Sequence, residues 1–325
     1  QLAQGEEGGI ILATTPFYAE SGGQSGDRGK LMSNGVVFEV CDTQKQSKAH
    51  IHLGELKQGE IEVGQSLQAR VNKLHRVDIM RNHSATHLLH AALRQILGKH
   101  VTQKGSLVAA DRLRFDFSHP EALTDDEVRK IEQLTNHIIL ENAATQVDVM
   151  SLDEAMESGA MSLFGEKYDS EVRVLNIGAG FSTELCGGTH VLHSGDIGLF
   201  KIISETGIAA GVRRIEAVTG QGALGWVDES ESRLNRIAKT LKSDRENIES
   251  RLEIVLDRSR KLEKEVEQLK SKLASSAGDD MVSDAEEING IMVLAKHLDG
   301  ADPKTLRETV DQLKNKLGTA ALVLA

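Results

Sequence analysis

NHSATHLLH, residues 82–90, decides how the rest of the sequence is read. Around it Val77, Met80, Leu88, Ala92, Leu93 and Ile96 recur at helical spacing, and Gly98 supplies a C-terminal stop. One helix is therefore predicted from Arg76 to Leu97. On it His83 and His87 stand four residues apart, which puts their Cβ atoms about 5–6 Å apart on one face. His90 follows within a turn. Two imidazoles so placed can grip one metal ion, and equally they can be surface or hydrogen-bonded core histidines. Ser84 occupies the place where the HExxH signature has its general-base glutamate, so a zincin peptidase is not expected.

A second pair lies about a hundred residues downstream in TELCGGTH, residues 183–190, where Cys186 and His190 are again four apart. Three imidazoles and a thiolate are a donor set that suits tetrahedral zinc. Gly187 and Gly188 remove side-chain bulk between the donors. His90 or His193 could replace one of the four, and Cys186 could instead be a buried structural thiol with His190 at the surface.

Working outward, residues 1 to about 75 carry β-like runs, GGIILATT, GVVFEVCD and QSLQARVN, separated by glycine turns. A small barrel or curved sheet is predicted. Within it ESGGQSGDRG, Glu20 to Gly29, packs four glycines into ten residues. It reads as a loop needing positive φ, or as a flexible wall that brings backbone close to a ligand. After the histidine helix come strand-like RLRFDFS and a helix opened by the capping box TDDE at Thr124. A third helix starts at SLDE from Ser151, and the strand candidates VRVLNIG, FSTELCGG, GLFKIIS and VRRIEAVTG follow. Helices interleaved with a largely antiparallel sheet make residues 76–220 an α+β core.

Beyond Gly220 a helical segment is expected to about Leu241, then a capping box of Ser243 with Glu246. Leu241, Arg245, Ile248, Leu252, Val255, Ser259, Leu262, Val266, Leu269 and Leu273 step by four and three, a coiled-coil seam compatible with a helical hairpin or a dimer. From about 276 the pattern is β-α-β: NGIMVLAKHL, a helix opened by Asp302 and Pro303 with Leu306, Val310, Leu313 and Leu317 in register, then TAALVLA. Four regions result: 1–75 barrel-like, 76–220 α+β with the metal, 221–275 helical linker, and 276–325 the start of a further domain.

The 325 residues carry a formal net charge of -11, which argues against a broad nucleic-acid surface, because phosphate binding relies on Lys and Arg. Aromatic content of 3% leaves little for stacking platforms. Any RNA contact must be local, and the candidate cations are Arg70, Lys73, Arg76, Arg81, Arg213 and Arg214. No apolar run of membrane-spanning length and no secretory leader are present, and two cysteines fit a reducing cytosol. The chain opens on Gln1 and stops inside an apolar run, so it is expected to be a piece of a longer protein.

HSATHLLHAALR, TELCGGTH, TPFYAESGGQSGDRG and VRRIEAVTG together resemble the editing region of bacterial alanyl-tRNA synthetases, from residue 1 to about 220 and on into the helical segment. The paired histidine and cysteine pattern alone is shared with threonyl-tRNA synthetase editing domains and free-standing AlaX-type deacylases. The resemblance implies one zinc ion on His83, His87, Cys186 and His190, with Gln103 and Thr86 lining an editing pocket. Gly22, Gly23 and the arginines 76, 81, 213 and 214 are candidates for contacting substrate or tRNA. It implies hydrolysis of the ester in tRNA(Ala) mischarged with serine or glycine, a cytoplasmic location, and a homodimer through the C-terminal region. ATP belongs to the aminoacylation domain, which is absent from this stretch. For the proton acceptor, water positioned by Gln103, Glu20 and Asp27 are the candidates. A non-catalytic, zinc-stabilised RNA-binding or oligomerisation module is the alternative.

Overall fold

The computed structural model describes residues 1–161, 170–298 and 303–325. The chain is mixed α+β and divides into two units, Gln1–Ser230 and Glu231–Ala325. Among the described residues no helix is long and apolar enough to cross a membrane.

The first unit begins with a five-stranded antiparallel sheet in the order Glu7–Ile11, Ala49–Gln58, Val36–Gln46, Gly29–Ser33, Gln68–Val71. The barrel expected here does not close, because the two outermost strands pair only inward. Phe17, from the loop before the strand Gly29–Ser33, joins Leu31, Val36, Phe38, Val40, Leu56 and Ile61 in the core that covers the inner face instead. Alternation puts Val36, Phe38 and Val40 inside until a register shift between Val40 and Asp42. Side chains repeat every second residue, so the shift reverses the phase. Thr43 therefore turns inward and donates to the Asp27 carbonyl at 2.8 Å, anchoring the glycine-rich loop to the sheet.

Helix α1, Lys73–Leu97, follows, with Asn72 as N-cap accepting from the His75 backbone at 3.2 Å. It starts three residues before the predicted position because the cap lies outside the apolar stripe. Every residue from Asn82 to Leu93 is buried. A helix buried all round must be central to its domain. It packs on helix α2, Asp125–Leu140, and on two sheets. One sheet has four strands, Phe200–Ala209, Val212–Thr219, Leu113–Ser118 and Gln103–Val108, and the other has three, Gln146–Ser151, Glu171–Ile177 and Ser182–Leu185. Leu88, Leu89, Leu93, Phe115, Phe117 and Phe200 are fully buried there. Each contributes roughly 1.5–3 kcal/mol of transfer free energy, against which conformational entropy is set. The capping boxes Thr124/Glu127 on α2 and Ser151/Glu154 on the short helix α3, Leu152–Glu157, form as predicted.

Helix α4, Gly220–Leu241, ends as expected, but the Ser243/Glu246 capping box does not form. Lys242 turns left-handed at φ 51°, and the Ser243 backbone N–H bonds the Ala238 carbonyl at 3.0 Å. Ser243 thus closes the helix behind it instead of opening the one ahead. Helix α5, Ile248–Val282, follows a single 3-10 turn, with Asn247 at its N-cap position. In the second unit the predicted seam lies open: Leu252, Val255, Leu262, Val266 and Leu269 are each 42–51% exposed. Leu273 falls outside the described side chains and Asp302 outside the described residues. Strands Glu286–Ile288, Ile291–Lys296 and Ala320–Leu324 form a sheet whose last two members are parallel, joined through helix α6, Pro303–Leu317. Met281, Leu294 and Leu313 make its core.

Candidate metal centre and its cleft

The two ligand-bearing segments meet because α1 lies against the end of the strand Ser182–Leu185. The chain then leaves the sheet through Cys186, whose N–H bonds the Arg173 carbonyl at 3.0 Å, while the Arg173 guanidinium holds the Gly188 carbonyl at 2.8 Å. That turn carries Cys186 and His190 to His83 and His87. One donor atom from each of the four lies within 4.8 Å of all the others. Cys186 Sγ is 3.5 Å from His83 Nε2 and 3.3 Å from His190 Nε2. Around a tetrahedral zinc with bonds near 2.0–2.3 Å the donor-to-donor edges are about 3.3–3.8 Å, so the set fits that ion.

The outer contacts aim the rings. Gln24 Oε1 accepts from the Thr189 N–H at 2.9 Å, so the atom 2.8 Å from His83 Nδ1 is an oxygen and His83 carries its hydrogen on Nδ1. Its Nε2 lone pair is left for the centre. Glu184 does the same for His87: Oε2 lies 2.8 Å from His87 Nδ1, and His87 Nε2 is buried with no hydrogen-bond partner among the described residues, as a donor atom awaiting a cation would be. Ser84 Oγ stands 3.2 Å from His190 Nδ1, with the Val191 N–H also on it at 3.2 Å. The serine that takes the place of the peptidase glutamate is thus a neighbour of a candidate ligand. Gly188 leaves no room for a side chain, since a Cβ there would sit 2.2 Å from His83 Cε1.

Charge follows from this packing. Burial alone would raise the Cys186 thiol, but the imidazoles of His83 and His87 outweigh it and hold the thiol well below its ordinary value. Burial likewise opposes ionisation of Glu184, and His87 beside it prevails, keeping it a carboxylate. Burial disfavours charge on His87, yet Glu184 and Cys186 lift it to about 10. Burial and neighbouring His83 push His190 down to about 3. The negative field that holds a proton on His87 equally favours a divalent cation among the four donors. Metal and proton then compete at His87, so affinity falls as pH is lowered.

Three of the four donors, His83, His87 and Cys186, border a cleft of about 650 Å³. Thr86, Gln103 and Gly22 line it, whereas Gly23 is packed against Ser106, whose carbonyl oxygen would be 2.5 Å from a Cβ. Thr86 Oγ1 donates to the Asn82 carbonyl at 2.8 Å and keeps its lone pairs. The cleft's cations are Lys45 and Arg173, and Tyr18 and His50 are also on its wall. The four arginines singled out in the sequence do not line it. Arg76 is paired with buried Asp27, Arg81 with Asp78, Arg213 with Glu205 at 2.6 Å, and Arg214 with Asp116 at 2.6 Å. Asp27 is thereby committed, and exposed Glu20 borders a different cavity. His193 is exposed beside Asp196, and His90 Nδ1 binds Glu184 Oε1 at 3.1 Å, so neither joins the donor group.

Two buried residues escaped the sequence reading, Gln24 and Glu184. For Glu184 a signal existed: within STEL, strand alternation turns it to the same side as buried Ser182. Replacing Glu184 by Gln leaves one imidazole without its acceptor, and an outer partner of this kind supports affinity by about 10–100-fold. Chelator competition is expected to show a zinc-affinity loss of that size, and equal affinity would remove this role.

A family model described as tRNA synthetases class II (A) matches residues 1–75, and one described as the threonyl and alanyl tRNA synthetase second additional domain matches residues 172–216. The alanine-tRNA ligase of Nitrosococcus oceani is 55% identical over 324 residues, covering 100% of this chain and 37% of the relative. Those of Halorhodospira halophila and Chromohalobacter salexigens are each 55% identical, over 100% and 99% of this chain and 37% of their own lengths. The chain therefore belongs to the alanyl-tRNA synthetase family, spanning 37% of the length of these curated relatives.

Proposed function

We propose that this stretch is the proofreading part of a cytoplasmic alanine-tRNA ligase, hydrolysing the ester that joins serine or glycine to the terminal ribose of tRNA(Ala), with one zinc ion held by His83, His87, Cys186 and His190. The need for such a site is physical. A pocket built for alanine discriminates by only about 10–200-fold against a residue that lacks a methyl or adds a hydroxyl. The observation that carries the reading is that three of the four donors, His83, His87 and Cys186, border an open cleft that polar side chains, Thr86 and Gln103 among them, also line.

When bound, zinc would supply Lewis-acid polarisation of the group to be cleaved or an anchor for the substrate amine. The chain's own residues do the rest. Thr86 Oγ1, its hydrogen given to Asn82, accepts from the hydroxyl of a seryl group, a contact that alanine lacks. The Gln103 side chain makes no hydrogen bond with the described residues and holds the attacking water. Lys45 and Arg173 meet phosphate at the RNA 3′ end, and Tyr18 offers a face to its base.

The test is zinc content together with deacylation of Ser-tRNA(Ala) and Ala-tRNA(Ala). Hydrolysis of the serine ester in preference to the alanine ester is expected. Because four protein donors already satisfy zinc, a closed structural ion is the second reading, and hydrolysis of neither ester would establish it. The reading includes a homodimer, supported by the exposed stripe on α5. A sedimentation mass of one chain would remove the dimer from it.

A further inference from the structure

The glycine-rich stretch around residues 20–29 holds one of the least exposed polar side chains among the described residues. Gln24 is 1% exposed. Gly22 and Gly23, at φ 58° and 82°, fold a tight turn in which Ser21 and Gln24 exchange backbone hydrogen bonds of 3.2 and 3.0 Å. The turn is hooked onto Val108 at the end of the strand Gln103–Val108, through Ser25 N to Val108 O at 2.9 Å and Val108 N to Gly23 O at 2.7 Å. Close approach is possible only because Gly23 has no Cβ to strike the Ser106 carbonyl. The result drives the Gln24 amide between the two donor-bearing segments. Its Oε1 takes His83 Nδ1 at 2.8 Å and Thr189 N at 2.9 Å, and its Nε2 donates to Thr189 Oγ1 at 2.9 Å.

We propose that Gln24 is a positioning residue for the metal centre, a clamp supplied by the N-terminal sheet region that fixes the His83 tautomer and locks the 186–190 turn against α1. One oxygen serves both segments, so losing it frees the imidazole and the turn together. The glycines of the motif exist, on this account, to deliver an amide oxygen.

The inference rests on the cluster being a metal site, and the experiment separates the two. In the full 325-residue chain, zinc affinity is measured by chelator competition, with circular dichroism as a fold control. Gln24→Met keeps length and removes the acceptor; an affinity loss on the order of 10–100-fold is expected. Gln24→Glu retains an oxygen for both N–H groups and is expected to bind within a few-fold of the wild type. Thr189→Val removes only the Nε2 contact and should also remain close to wild type. If Gln24→Met fails to fold, Gln24→Asn, whose shorter side chain withdraws the oxygen without adding apolar surface, gives the same comparison. Wild-type affinity in Gln24→Met, or an equal loss in Gln24→Glu, overturns the clamp. Absence of zinc from the wild type overturns the metal site itself.

Discussion

Cys186→Ala is expected to purify without zinc and to hydrolyse Ser-tRNA(Ala) no faster than buffer does, while its circular dichroism stays that of the wild type. Loss of an outer partner alone costs about 10–100-fold, and removing the thiolate removes both a donor and the negative charge that holds a cation among three imidazoles. The fold should survive because Cys186 touches the main core only at its margin. Trimming one sulfur there costs about 1 kcal/mol, within the range for small deletions of buried atoms. Zinc analysis and single-turnover deacylation decide it. Retained hydrolysis by the zinc-free variant would sink the catalytic role of the metal.

The second large effect is expected from a smaller change. In Gly188→Ala the new methyl would lie 2.2 Å from His83 Cε1, 2.5 Å from His83 Nδ1 and 2.7 Å from Gln24 Oε1. None of these atoms is the loose end of a surface side chain. His83 is 7% and Gln24 1% exposed, and each is bonded to the other. Either the imidazole rotates away or the turn retreats, and both take a donor out of reach. Zinc affinity should fall as far as in the Cys186 variant, with about 1–3 kcal/mol of lost stability from overpacking. The neighbouring Gly187→Ala is the control. Its methyl would meet nothing within 4 Å, so stability should stay within about 0.5 kcal/mol of wild type. Equal behaviour of the two variants would contradict the account.

What the sequence disclosed follows the range of the interactions concerned. Helix α1, the boxes at Thr124 and Ser151 and the two donor pairs were legible because each is a pattern within a few residues. The stop of α4 was legible too, but the Ser243 box was not. Choosing between closing one helix and opening the next depends on a left-handed Lys242 that residue type does not favour. The barrel reading erred for a related reason: alternation in Val36–Gln46 tells which side is inside, not whether the first and last strands meet. Gln24 lay hidden because its partners are 59 and 165 residues away. The carboxylate partners of Arg76, Arg81, Arg213 and Arg214 were equally hard to read, since a cation in sequence carries no sign of the acid it pairs with.

The all-round burial of residues 82–93 of α1 restricts how this site can be altered. Asn82, His83, Ser84, Thr86, His87 and His90 are polar, buried and each engaged. That stretch of the helix therefore has no neutral side on which substitutions can accumulate. Any drift or redesign of amino-acid preference has to be written on the far bank of the cleft, at Tyr18, Ser21, Lys45 and Gln103, where side chains still have solvent to move into.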